Sequence, residues 1–341
     1  MSGYFIRRFL LIIPTFIGIT LAVFVIMHFV PGGPVERQIM RYKMAVATEG
    51  GVSGTAIEVD LPQQAIDEMR RYYGFDKPVH VRYAQWLWNV LHLDLGRSYI
   101  YQDPVWDVIK SRFPVSIFLG LTGFFLSYLI CVPLGVYKAI RHGSKFDFVS
   151  SVTVFMGYSV PGWALGTALL VLFGGGSFLN WFPLGGFRPE NWEYLGFFQK
   201  ITAQLHYMFL PVFCYMVGSF ATLTILMKNS LMENLGQDYV RTAFAKGLSE
   251  RRVIFVHALR NSLIPIATGL GHVISIILAG SFLIEKVFNI DGMGYLGYTS
   301  ILQRDYPVAL GILVISSVLL LVGNILSDII YVLVDPRIRF R

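Results

Sequence analysis

Charge and cysteine are both scarce in this sequence, and so are the motifs of soluble enzymes. Only 14% of the residues are Asp, Glu, Lys or Arg, against roughly 25% in an ordinary soluble domain. Its two cysteines, Cys131 and Cys214, both fall inside apolar runs, and read as packing thiols instead of a disulfide or a metal site. No Gly-x4-Gly-Lys-Ser/Thr stretch occurs, so the chain is not expected to hydrolyse ATP by itself. His-Glu-x-x-His and Gly-x-Ser-x-Gly are also missing, and the seven histidines show no ligand spacing. No protease, lipase or metal centre is therefore indicated, and no cofactor. An intramembrane enzyme would need acid, base or metal ligands clustered at one depth. An autonomous secondary transporter would often show two related halves and several intramembrane charges. Neither pattern is present.

What the chain does have is apolar length. Hydrophobic residues make up 55% of the sequence, the mean hydropathy is +0.58, and the apolar residues gather in runs long enough to cross a bilayer, about 20 residues each. The runs cover Phe9–Val30, Val115–Tyr137, Phe148–Phe173, Tyr207–Met227, Leu263–Ile284 and Val308–Val334. Each should be helical, because hydrocarbon leaves no partner for an unpaired backbone amide. The first run follows Arg7 and Arg8 as a secretory signal would, yet it is long and ends in Val30-Pro31-Gly32-Gly33 without a small-x-small cleavage site; it reads as a retained span. The expected fold class is an all-α integral membrane protein of six transmembrane helices.

The formal net charge of +7 is a topology signal and not a nucleic-acid footprint. With the N-terminus inside, half of the 28 basic residues, among them Arg7, Arg8, Lys138, Lys145, Lys228, Arg241, Lys246 and Arg337, fall in roughly 60 residues of internal loop and tail, the density asymmetry of the positive-inside rule. Both termini are therefore expected in the cytoplasm. The division expected along the chain is an N-terminal span (1–30), an extracytoplasmic segment (31–111), a five-helix core (112–334) and a cytoplasmic tail (335–341).

In the extracytoplasmic segment, Asp60-Leu61-Pro62-Gln63 opens a short helix, with Asp60 as cap, and Gly74 closes it. A second helix follows Pro78, with Val79, Tyr83, Trp86, Leu87, Val90 and Leu91 on one face. Its aromatic content suits the membrane interface, and packing against the outer ends of the spans is equally compatible. Pro14, Pro133, Pro161, Pro211 and Pro265 can each kink a span. Gly162-x3-Gly166 permits close helix approach, within this chain by default. Gly292-Met-Gly294-Tyr-Leu-Gly297 satisfies GxGxxG but lacks the preceding strand of a dinucleotide fold; its glycines instead suit a re-entrant or gate-region turn with close backbone packing. Asp291, Arg304 and Asp305 beside it read as a solvated loop, with contact to a binding protein as the alternative. Few polar groups fall within spans. His272, Asn324 and Asp328 are candidates for lining a pathway, although Asp328 lies near the cytoplasmic end.

The most informative stretch is the inside loop 228–261, which reads as helix, tight turn, helix. Gly247 is the αL-competent terminator of the first helix. Ser249 is the N-cap of the second, with Glu250 in its first turn. Thr242, Ala243 and Ala245 keep the tip slim enough to enter a groove, and Arg241 and Lys246 supply charge. Asp238-Tyr-Val-Arg-Thr-Ala-x-Ala-Lys-Gly-Leu-Ser-Glu-Arg, followed by His257-Ala-Leu-Arg-Asn-Ser-Leu-Ile-Pro265, resembles the EAA motif of importer permeases, the helix that plugs into a cleft of a cytoplasmic ATPase. Tyr4 to Pro14, Pro31-Gly-Gly-Pro34, Tyr73-Gly-Phe-Asp-Lys-Pro78, Asp94-Leu-Gly-Arg-Ser98 and Val334-Asp-Pro-Arg337 are similar to the dipeptide/oligopeptide permease family. Gly33, the insertion behind it and Trp181 to Phe187 are more like its microcin C/oligopeptide branch.

The resemblance implies the type I fold of ABC importers and a place in a bacterial inner membrane. It implies a second, similar permease, a cytoplasmic ABC ATPase that binds the ATP, an extracytoplasmic peptide-binding protein and surrounding membrane lipid. The residues it assigns to ATPase coupling are Asp238, Tyr239, Arg241, Thr242, Ala243, Phe244, Lys246, Gly247 and Leu248. Phe244 departs from the arginine common in the family, so that position touches the ATPase through an apolar surface or faces inward.

Overall fold

The computed structural model describes residues 2–29, 33, 35–36, 39–40, 62–72, 74–176, 178–269 and 280–334, and every regular element among them is helical. Among the described residues four helices are long and apolar enough to cross a membrane, with apolar stretches at Arg7–Met27, Val105–Ile140, Phe197–Leu235 and Tyr306–Ile329; a bent pair of helices makes up to five. The expected span Leu263–Ile284 lies mostly outside the described residues, which retain its ends as Ile264–Thr268 and Phe282–Val287.

The bent pair corrects the expectation of a single helix over Phe148–Phe173. Lys145–Ser159 and Gly162–Phe173 meet at 94°. The break is local chemistry. Pro161 has no N–H and disfavours helical geometry in the residue before it, and Val160 is accordingly extended (φ −94°, ψ 120°). Pro161 then stands at the N-cap of the next helix, its carbonyl accepting from the Leu165 N–H at 3.0 Å. Pro211, by contrast, is buried inside the unbroken Phe197–Leu235 helix. A proline therefore permits a break without dictating one.

The chain divides into two compact units, one of residues 1–8, 112–296 and 318–341, the other of 9–111 and 297–317. In the first, one apolar cluster centres on Cys131, Met227, Leu231, Val253 and Ala258, all fully buried. A second centres on Leu119, Met208, Cys214 and Phe288. Both thiols are free and buried. The Gly162/Gly166 pair serves packing within the chain: a Cβ on Gly162 would lie 3.0 Å from the Cys214 carbonyl oxygen, and one on Gly166 would lie 2.9 Å from the Phe288 ring.

In the second unit the helix Gln63–Tyr72 closes at Gly74 with φ +70°, as its sequence implies. Pro62 stands at the N-cap instead of inside the first turn, its carbonyl accepting from Ala65 and Ile66, and Asp60 lies outside the described residues. The helix Val79–Leu91 turns Tyr83 and Trp86 onto Phe24 of the first span, with ring centroids 5.3 and 5.7 Å away. Thr20 and Tyr83 share a 3.0 Å hydroxyl hydrogen bond. Trp88 and Leu91, on the opposite side, are about two-thirds exposed. The packing reading therefore holds for Tyr83 and Trp86, whereas Leu91, expected on the same face, is turned outward. Asp305 corrects the solvated-loop expectation. It is fully buried and accepts from the Ser98 hydroxyl and, at 3.0 Å, from the Tyr99 N–H. A buried carboxylate needs such donors, and here they tie the start of the last span to a loop 207 residues earlier.

Candidate coupling site

The helix Asp238–Ala245 begins where Gln237 offers its carbonyl to the Val240 and Arg241 amides, at 3.1 and 3.4 Å. Its end is a Schellman cap, assembled from three observations. Gly247 has φ +78°. Its N–H reaches the Phe244 carbonyl at 2.9 Å, and the Leu248 N–H reaches the Ala243 carbonyl at 3.4 Å. Leu248 then packs against the apolar cluster beneath, the hydrophobic contact that usually accompanies this cap. A Cβ on Gly247 would meet nothing within 4 Å. The requirement for glycine is thus one of backbone angle, not of space.

This cap divides the expected site residues between two faces. Asp238, Tyr239, Arg241, Thr242, Phe244, Lys246 and Gly247 are exposed, whereas Ala243 is 6% exposed and Leu248 half-buried. Ala243 is small because it packs into the chain's own core beside Val240, which corrects its expected place at the slim outer tip. Phe244, 45% exposed, faces out of this chain's core, against the inward reading of that position. Tyr239 donates to the Asn234 side chain at 2.8 Å. Arg241 and Asp238 pair at 3.5 Å across exposed positions, a contact that water and salt weaken. Ser249 occupies the N-cap position of Glu250–Arg252 but makes no side-chain cap bond, so Glu250 is left to complement that end of the helix. The chain then continues through a π-helical turn, Val253–Ala258, into Leu259–Ser262.

Two devices beneath this knob escaped the sequence reading. Ser230 donates to the Ser262 carbonyl at 2.9 Å, and Ser262 donates back to the Ser230 carbonyl at 3.3 Å. This clasp joins the two helices that flank the knob. The second device is an ion cluster around Asp147. Lys228 reaches both carboxylate oxygens, at 2.8 and 2.7 Å. Lys138, 1% exposed, reaches Oδ1 at 3.1 Å and also the Ser150 and Ser151 hydroxyls. In sequence these lysines are topology charges. In the fold they bind the ends of three helices at the point where the chain enters the knob.

The remaining candidates do not gather with the knob. Asn324 is half-buried in the last helix. Asp328 is buried and forms an ion pair with Arg8, which joins the first and last helices. His272 lies outside the described residues. The Gly-x-Gly pair packs closely, as expected. Glu285 is fully buried and accepts from the Tyr295 N–H at 2.7 Å and the Tyr215 hydroxyl at 3.3 Å. A Cβ on Gly292 would lie 2.6 Å from this carboxyl group, and one on Gly294 would lie 2.7 Å from the Phe282 amide. Nearby, Arg112 pairs with Asp291 at 2.7 Å. Among the described residues no group of three metal-ligating side chains occurs.

The family model for binding-protein-dependent transport system inner membrane components matches residues 131–340, a range that contains the knob, both devices beneath it and the Glu285 hub. Along its whole length the chain is 39% identical to the peptidoglycan transport system permease protein YejB of Agrobacterium fabrum, covering 99% of that protein. It is 39% identical to the inner membrane ABC transporter permease protein YejB of Escherichia coli O157:H7, again over 99%. It is 37% identical to the oligopeptide transport system permease protein AppB of Bacillus subtilis, with both chains fully covered. A helical, span-bearing chain without a nucleotide motif, carrying a capped and exposed knob, thus belongs to the family of binding-protein-dependent ABC transport permeases, the inner-membrane components of these systems.

Proposed function

We propose that this chain is one of two similar permease subunits of an ABC importer that carries peptides, or small conjugates built on peptides, into the cell. Both termini face the cytoplasm. A separate ABC ATPase receives the knob in a cleft, and an extracytoplasmic binding protein delivers the substrate to the opposite face. The observation that carries this reading is the division of the knob into a wet outer face and a core-anchored inner face. A force transmitter must present a surface that can engage another protein and must not yield behind it. The Schellman cap, the serine clasp and the Asp147 cluster supply that stiffness. The peptide assignment is supported by the full-length likeness to permeases named for oligopeptide and peptidoglycan transport. Asn324 and His272 are the candidates kept for the pathway, because Asp328 is engaged with Arg8.

Nucleotide-driven closure of the ATPase pair would push on the two knobs of the permease pair, and the helices above would carry the movement into alternating access. The test is Gly247→Val. A β-branched residue at φ +78° costs about 1–2 kcal/mol locally and should unseat the cap. We expect normal membrane insertion but loss of uptake and of transport-coupled ATP hydrolysis, measured in vesicles containing the whole transporter. Wild-type uptake by this variant would overturn the mechanism.

A further inference from the structure

Between its core-facing and outward faces, the helix Val79–Leu91 carries a third, polar face, on which Gln85 accepts from Lys77 at 3.2 Å. Arg82, Gln85 and Asn89 follow one another on it at helical spacing and, with Arg97, line a cavity of about 450 Å³, within the range of small-molecule sites. The cavity has a defined depth in the membrane. Phe24, on its wall, lies three residues before the end of the apolar stretch Arg7–Met27, and Tyr306, also on its wall, is the first residue of the stretch Tyr306–Ile329. A cavity bounded by both sits where hydrocarbon gives way to headgroups. Next to it the outward residues Trp88 and Leu91 are 65% and 66% exposed, the aromatic and aliphatic surface typical of that zone.

The chemistry of the lining selects an anion. The Arg82 guanidinium stacks 4.1 Å over the Phe75 ring. Among the described residues its guanidinium makes no direct hydrogen bond or salt bridge, although Asp76 acts on it from a distance. It is partly withdrawn from water, which lowers its pKa, with Tyr99, Tyr306 and Asp76 opposing the shift; an arginine remains charged regardless. Asp94 is the one carboxylate in the lining, and its Oδ1 is engaged by the Gly96 N–H at 2.9 Å. Five guanidinium donors over an aromatic ring, with a second cation at Arg97 and the Asn89 amide beside them, match a group that only accepts.

We propose that this cavity seats the phosphate of an anionic phospholipid at the membrane interface. Inorganic phosphate and a peptide carboxylate share the acceptor chemistry, but they do not share the depth or the neighbouring apolar face. The outer leaflet as the source of the lipid rests on the orientation proposed above; the site itself does not.

The experiment is native mass spectrometry of the whole transporter, delipidated in mild detergent and titrated with phosphatidylglycerol, with inorganic phosphate and an acidic tripeptide as separate arms. The expected result is one tightly retained phosphatidylglycerol per chain, weakened at least tenfold in Arg82→Ala and several-fold in Arg82→Lys, which keeps the charge but loses the fork. Arg188→Ala should bind as wild type does, since that arginine also stacks on a ring, Trp192 at 4.6 Å, and is not among the residues that line this cavity. Asn89→Leu provides a second route should Arg82→Ala not assemble. Equal retention of lipid by wild type and the Arg82 and Asn89 variants would overturn the proposal. So would phosphate or tripeptide binding that depends on Arg82 while the lipid does not. Because the readout needs neither ATP nor transported substrate, its failure leaves the importer reading untouched, and failure of uptake leaves this site untouched.

Discussion

At the coupling knob the polar groups stay in water and the rigidity resides in the backbone, whereas around Glu285 the polar group is buried and the rigidity comes from how closely glycine lets backbone approach it. The knob has no buried charge of its own. Its exposed Asp238, Arg241 and Lys246 can exchange water for a partner and back again without stranding an ion in a low-dielectric interior. Its stiffness is delegated to a cap and to the clasp and ion cluster beneath. The Glu285 hub does the reverse. A carboxylate with 0% exposure must be satisfied permanently, so Tyr215, Tyr295 and the glycines of the Gly-x-Gly pair are committed to it. A surface proposed to engage and release a partner keeps its charges wet, whereas a packed junction can bury a carboxyl group.

The comparison breaks most visibly at Asp147, beneath the knob. Asp147→Asn leaves Lys228 facing a neutral amide and Lys138 with only its hydroxyl and carbonyl partners, and breaking a buried pair costs about 3–5 kcal/mol. A clear fall in the melting temperature of the detergent-solubilised transporter is expected. Replacing Asp147, Lys138 and Lys228 together by apolar residues should lose much less, since no uncompensated charge remains. At the hub, Gly292→Ala would place a methyl group 2.6 Å from the Glu285 carboxyl carbon, and overpacking of this kind costs about 1–3 kcal/mol. The same melting assay should detect it. Gly247→Ala, with open space around the Cβ, should be milder. The smallest effect sharpens the comparison. Ser262→Ala removes half of the clasp at about 1 kcal/mol, so melting should shift little while uptake per ATP hydrolysed falls, because the knob would yield under load. Equal coupling ratios in the variant and the wild type would remove the clasp from the mechanism.

Much of the knob was legible in sequence because its geometry is local. Gly247 after a helical run and before Leu248 implies an αL cap, and the cap was found with the bonds that define it. The faces were less legible. Ala243 reads as a tip residue from its size alone, yet the register set by Val240 and Leu248 turns it inward. The close backbone packing of the GxGxxG stretch was legible from its glycines, but nothing in its spacing pointed to Glu285 as the group that requires them.

Hydropathy and helix-ending residues determined the class of molecule, the positions of four apolar spans and the capped knob, because each depends on neighbours within a turn or two of the chain. Only the tertiary structure decided that Lys228 meets Asp147 81 residues away, that Asp305 is buried against Ser98, that Pro161 bends its run by 94° while Pro211 does not, and that Arg82 is left facing a cavity. These outcomes depend on which elements pack together. A lysine carries no mark in sequence of whether water or a carboxylate will solvate it.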